Sequence, residues 1–218
     1  ISMSLITLKN VKKEYGKNQV LFENLSLEIE KGEFVGLVGK SGAGKTTLLN
    51  IIGLITDISE GTITIDSHKN LSMNGKNAMI LRRYTIGYLF QNYGLIEDES
   101  VLWNLKLALE YKKVKKEEKL KLINKYLKQF ELSDMLNKKV YQLSGGEQQR
   151  IAIIKLILQG SQIILADEPT SGLDKENELI VMKLLKELNE KGITIIMVTH
   201  NMNLCDCFSR VINVENFR

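Results

Sequence analysis

Two kinds of strand and one long helical stretch predict an α/β fold. It comprises a mainly parallel sheet bearing a phosphate-binding loop, a small antiparallel β subdomain beside it, and an inserted α-helical subdomain. Phe34 to Val38, Ile163 to Ala166 and Ile193 to Val198 are short, unbroken apolar runs, as parallel strands buried on both faces require. Leu25, Leu27 and Ile29 instead alternate with Ser26, Glu28 and Glu30, and Thr62 to Asp66 alternates again. That period of two marks half-buried antiparallel strands, with Leu5 to Val11 as a third member. From Asn92 to Gln159 the pattern turns helical, with Leu120, Ile123, Leu127 and Phe130 at three- and four-residue spacing.

The first apolar run leads directly into Gly39-Lys40-Ser41-Gly42-Ala43-Gly44-Lys45-Thr46, which fits G-x-x-x-x-G-K-[ST]. A glycine turn between strand and helix is the bland alternative, but the strand before it and the apolar helix after it (Leu48, Leu49, Ile51, Ile52) supply the context that a phosphate cradle needs. The glycines let successive backbone N–H groups turn inward around an anion, and the helix beginning near Gly44 adds its positive dipole end. Lys45 then reaches the β- and γ-phosphates of a nucleotide, with the Thr46 hydroxyl on Mg²⁺.

The helical stretch ends in Leu143-Ser144-Gly145-Gly146-Glu147-Gln148-Gln149-Arg150, which opens an apolar helix from Ile151 to Leu158. Ser144 and Glu147 have capping-box spacing. A cap does not explain the two glycines, each costing about 1 kcal/mol against Ala in a helix, unless something approaches the backbone closely. The helix start is therefore expected to be a second phosphate-binding surface formed by Ser144, Gly145 and Gly146.

Two consecutive carboxylates, Asp167 and Glu168, end the Ile163 run. Acids emerging from a buried strand are costly unless they bind something. Asp167 suits Mg²⁺, directly or through water, and Glu168 suits the base that polarises an attacking water in γ-phosphoryl transfer. His200 follows the Ile193 run and is placed to contact the γ-phosphate. Asp174 reads equally as a site residue and as the N-cap of a helix from Lys175 to Asn189. Because ligands in open parallel sheets bind beyond the carboxyl ends of strands, residues 39–46, Asp167, Glu168 and His200 are expected to meet.

Composition narrows the remaining classes. The 218 residues are 44% hydrophobic and 26% charged with a net charge of +4, ordinary globular material for one large domain. The Lys run from 112 to 121 is interrupted by Glu117 and Glu118 and reads as a solvated helix face, so no nucleic-acid partner is expected. Cys205 and Cys207 are a lone C-x-C, which fits neither a zinc site nor a disulfide framework and points to a reduced cytosol. No apolar run reaches the roughly 18 to 20 residues of a membrane span, and no leader is apparent. Ile1 and Ser2 precede a methionine, and Met3 is the expected native start.

Taken together these residues resemble the ATP-binding subunit of an ABC transporter over essentially the whole chain. Residues 39–46 are similar to that family's Walker A loop, 163–168 to its Walker B strand with the catalytic glutamate, and Leu143 to Gln148 to its LSGGQ signature, with Glu147 where Gln is frequent. Gln91 resembles the Q-loop glutamine, Ser171 to Asp174 the D-loop, His200 the switch histidine, and Tyr15 the aromatic that stacks on adenine. The resemblance implies a single P-loop NTPase domain with a RecA-like core (1–91 and 160–218, including the antiparallel β subdomain) and a helical subdomain (92–159). It implies ATP and Mg²⁺, held by Tyr15, residues 39–46 and Thr47, with Gln91 joining Thr46 and Asp167 at the metal and joining Glu168 and His200 as a catalytic residue. It also implies a head-to-tail homodimer in which Ser144, Gly145, Gly146, Glu147 and Asp174 complete the partner's site. The remaining implications are an integral membrane permease as partner and a place on the cytoplasmic face of the membrane. The segment Gln91 to Ile96 is similar to that of the macrolide-export, lipoprotein-release and bacteriocin-export subfamily, and the apolar and aromatic residues around it (Tyr93, Leu95, Ile96, Val101, Leu102, Trp103) are expected to form the permease groove. A soluble ABC-type ATPase acting on nucleic acid or ribosomes is the alternative, but it commonly has a long coiled coil or two ATPase halves in one chain.

Overall fold

The computed structural model describes residues 4–16 and 19–217, so the expected start at Met3 lies outside the described residues. Two sheets organise it. The first is antiparallel, in the order β2-β1-β4, from β1 (Ser4–Tyr15), β2 (Gln19–Glu30) and β4 (Glu60–Ile65). Its central strand sets Leu8 opposite both Leu27 and Ile63, so the alternating apolar positions meet on one face. The second is parallel, in the order β5-β6-β7-β3-β8, from β3 (Phe34–Val38), β5 (Ile86–Leu89), β6 (Ile163–Asp167), β7 (Thr194–Val198) and β8 (Arg210–Asn213).

The unbroken apolar runs are explained by what covers each face. Leu37, Leu165, Ile196 and Val198 pack with the antiparallel sheet and with α1 (Lys45–Ile52). Phe34, Ile164, Ala166, Ile195 and Met197 point the other way, into a core shared with α3 (Val101–Ala108), α4 (Lys116–Gln129), α5 (Gly145–Gln159) and α6 (Lys175–Glu190). Successive residues of one strand thus serve different cores. A further helix, α2 (Lys76–Tyr84), precedes β5. The helical pattern around α4 holds at Ile123 and Leu127, but Leu120 is 41% exposed and takes no part in the core.

Register fixes where function can sit. Leu37 lies beside Val198, Val198 beside Asp167, and Ala166 beside Leu89, so the carboxyl ends of β3, β7, β6 and β5 stand in one row. The segments that follow them carry Gly39 to Thr46, His200, Glu168 and Gln91.

Candidate functional site

Beyond that row lies an open cleft of about 390 Å³. Of the residues singled out in the sequence, Tyr15, Ser41, Gly42, Gly44, Lys45, Thr46, Thr47, Gln91, Asp167, Glu168 and His200 line it, joined by Gln19, Leu21 and Val198. Gly39, Lys40 and Ala43 complete the loop between β3 and α1. Gly44 precedes α1 in the left-handed region at φ 96°, and no side chain caps the helix. The first amides of α1 are therefore left for an anion. A methyl group on Gly44 would also lie 2.7 Å from Phe22, so packing as well as dihedral angle selects glycine there.

Lys45 is buried, and its ammonium donates to the carbonyls of Gly39 (2.7 Å) and Lys40 (2.9 Å), which keeps it folded over the loop with one proton to spare. The Thr46 hydroxyl donates to Asp167 Oδ1 at 3.3 Å. Burial raises the Asp167 carboxyl above its ordinary range, and the Thr46 hydrogen bond and the Lys45 and His200 charges pull it partly back. Among the described residues no three His, Cys, Asp or Glu side chains cluster as a metal cage. A hydroxyl and one desolvated carboxylate are the sparse oxygen set that suits Mg²⁺ when phosphates supply further ligands.

Glu168 adopts φ 48°, a left-handed conformation that costs a non-glycine residue about 1 to 2 kcal/mol. The turn aims its carboxylate at His200. Glu168 Oε2 accepts the His200 backbone N–H at 3.3 Å, and His200 Nε2 stands 2.9 Å from Oε1, an ion pair when the imidazole is protonated. That contact is close but poorly aligned, so Oε1 remains a buried oxygen without a true hydrogen-bond donor. Burial raises the Glu168 carboxyl above its ordinary range, and the His200 charge and amide oppose this. At the far end Tyr15 is 45% exposed, with its hydroxyl 3.4 Å from Thr47 Oγ1 and the Lys13 ammonium 4.7 Å from its ring centroid. Gln91 is exposed on the turn after β5.

The remaining candidates stand elsewhere. Ser144 caps α5, its hydroxyl accepting from the Glu147 amide at 3.3 Å while the Glu147 carboxylate accepts from the Ser144 amide at 2.7 Å. None of Ser144, Gly145, Gly146 and Glu147 lines the cleft. Packing within this same chain also selects the two glycines, because side chains approach them closely. A β-carbon at Gly146 would overlap Asn177 of α6, and one at Gly145 would lie 2.8 Å from the Tyr93 hydroxyl. Asp174 is also outside the cleft. It is the N-cap of α6, accepting the Asn177 amide at 2.8 Å, and the Asn177 backbone and side-chain donors hold its carboxyl below the ordinary range.

The sequence reading passed over two polar residues. Gln149 is buried on α5 and donates to the Pro169 carbonyl just after Glu168; its one signal was a polar position on an otherwise apolar helix face. Asn50 on α1 accepts from Tyr88 at 2.7 Å and ties β5 to the helix of the phosphate loop.

A glycine-rich loop with bare helix amides, a buried lysine over it and a paired glutamate and histidine opposite define a phosphate-loop nucleotide-binding cassette. The sequence profile of the ABC transporter family matches residues 22–171. The chain belongs to that family. It is 41% identical over 212 residues to the macrolide export ATP-binding/permease protein MacB of Campylobacter jejuni, covering 97% of this chain and 33% of that protein. The chain thus spans about a third of the length of that relative. It is also 41% identical to an uncharacterised ABC transporter ATP-binding protein of Methanocaldococcus jannaschii, covering 97% of this chain and 96% of that one. Among solved structures, a dimeric ATP-binding cassette in a post-hydrolysis state with ADP and Pi superimposes with a TM-score of 0.85 at 39% identity, covering 95% of this chain and 93% of that one.

Proposed function

We propose that the chain hydrolyses ATP between two head-to-tail copies of itself and so drives a membrane permease. The observation that carries this reading is the separation of the candidate residues. One set lines an open cleft, while Ser144 to Glu147 and Asp174 lie outside it; in this reading the second set completes the cleft of the other copy. The dimeric solved relative supports it. In this reading the loop amides and Lys45 bind the β- and γ-phosphates, and Tyr15 stacks on the purine. Thr46 and Asp167, with Gln91, would hold Mg²⁺, whose charge would neutralise the phosphate oxygens. Glu168 accepts a proton from the attacking water as its oxygen bonds to the γ-phosphorus and ADP leaves. His200 holds the Glu168 carboxylate in place and reaches the γ-phosphate.

The groove expected for the permease shifts. Val101 is buried and Leu102 half-buried in the helical core, whereas Ile96 and Trp103 are exposed outside the two cavities that follow. Tyr93 of that group lines a cavity of about 240 Å³ against α2 and α5. It shares Arg82, Lys155 and Gln159 with a second cavity of about 340 Å³ that runs on to Arg83, Tyr111 and Lys112. The walls bring four cations and no carboxylate, so an acidic segment of the permease, at the cytoplasmic face of the membrane, is the complementary occupant.

One set of assays on the chain and its membrane complex tests this. The wild type should bind ATP and release phosphate, Lys45→Ala should do neither, and Arg83→Glu should lose co-purification with the permease. Unchanged ATP affinity in Lys45→Ala refutes the loop assignment, and an intact complex with Arg83→Glu moves the docking surface elsewhere.

A further inference from the structure

The turn that carries Gln91 is held in a costly shape. Tyr93 and Gly94 follow one another in the left-handed region, at φ 64° and 60°, and the Tyr93 amide closes back on the Phe90 carbonyl at 3.0 Å. A tyrosine in that region persists only where its surroundings over-determine it. On the β5 side the surroundings are Phe90 stacked on Tyr88, with ring centroids 4.2 Å apart, and the Tyr88 hydroxyl bound to Asn50 of α1. On the other side both contacts come from α5. The Tyr93 hydroxyl abuts Gly145 in the first turn of the helix, and Lys155, three turns on, donates to the Gly94 carbonyl at 2.9 Å.

Lys155 is unusual among the lysines of this chain. It is half-buried within the otherwise apolar stretch Ile151 to Leu158 of α5, desolvation lowers its basicity, and among the described residues no carboxylate pairs with it. A buried ammonium without a counter-ion is costly, and a leucine or methionine would fill the position more cheaply. What the ammonium supplies is a charge-assisted bond to one backbone oxygen, three peptide units beyond the Gln91–Asn92 step.

We propose that Lys155 is a positioning residue for hydrolysis: with Tyr93 against Gly145, its bond to the Gly94 carbonyl sets where Gln91 stands over the nucleotide cleft, so that α5 and Gln91 move together. Lys155 touches neither nucleotide nor metal. The inference goes beyond the proposed function by adding a residue outside its site, and it rests on the role given there to Gln91.

The test compares Lys155→Met, Lys155→Arg and Gln91→Ala with the wild type as isolated chains, since Lys155 also borders the cleft assigned to the permease. Two readouts are taken. One is steady-state hydrolysis with ATP affinity; the other is amide hydrogen exchange of residues 90–96 without nucleotide. In Lys155→Met, kcat should fall roughly tenfold or more while ATP affinity changes by less than about twofold, as expected for an interaction that orients rather than binds. Exchange should accelerate in 90–96 but not in 39–46, and Lys155→Arg should restore both readouts. Unchanged exchange, unchanged kcat, or a parallel loss of kcat, affinity and melting temperature overturns the proposal, the last because it marks a merely structural role. Should Lys155→Met not fold, Lys155→Gln, whose shorter amide does not span to Gly94, is judged by the same criteria. If Gln91→Ala hydrolyses ATP normally, the role of Gln91 falls and this inference with it; if Gln91→Ala is slow and Lys155→Met is normal, only this inference falls.

Discussion

Glu168 shows how one side chain is prepared for chemistry. Its backbone is strained, one carboxylate oxygen is bound by the His200 amide, and burial raises its pKa, with the His200 charge acting against the rise. A general base must be ionised, so kcat should be flat near neutral pH and fall as the pH drops through that raised value, above the usual 4.5 of a glutamate. The stability linkage has the opposite sense. The folded chain holds this proton more readily than the unfolded chain, so the carboxylate weakens the fold as pH rises through the window between the two pKa values, and the loss is recovered below it. Glu168→Gln should be slower by about 10² to 10⁴ and should lack the acid limb. A pH–rate profile in which wild type and variant lose activity over the same range would remove Glu168 from the base role. The pair Asp167-Glu168 was legible in the sequence because acids rarely end a buried strand. That Glu168 would meet His200 was legible from the strand ends as well, but its strained turn and the His200 amide bond were not, since both depend on β6 and β7 lying side by side.

At the scale of elements, helix α5 joins the two halves of the account. Gly146 admits Asn177, Gly145 admits Tyr93, Gln149 reaches Pro169, and Lys155 holds Gly94, so one helix touches the segments after β5 and β6 and the first turn of α6. Gly146→Ala should force Asn177 aside and destabilise the chain by about 1 to 3 kcal/mol, a drop of several degrees in melting temperature for a domain of this size. Adding Asn177→Ala should recover most of it, because the Asp174 cap uses the backbone amide of residue 177 and survives the change. Additive losses in the double variant would show that the two residues do not interfere. Elements with long periodic patterns or unbroken apolar runs were readable from sequence. Helix α2 was not, having only Ala78 and Leu81 buried. Strands β5 and β8 have four residues each, and β8 at the sheet edge buries Ile212 alone, too little pattern to register.

At the scale of the whole molecule, the residues proposed for ATP hydrolysis fall in two groups, one lining the cleft and one, Ser144 to Glu147 with Asp174, outside it. The motifs themselves were legible in the sequence, but their separation was legible only through the family resemblance, because spacing along the chain carries no information about which side of a sheet each segment reaches. The wild type should be largely monomeric without nucleotide, since a sandwich whose contacts run mainly through ATP has little else to hold it. The most direct measurement is sedimentation velocity of the Glu168→Gln chain with and without saturating ATP and Mg²⁺. A shift from the monomer mass to twice that mass, present only with nucleotide and abolished by adding Ser144→Arg, is the predicted result. A variant that binds ATP and stays monomeric would contradict the shared site.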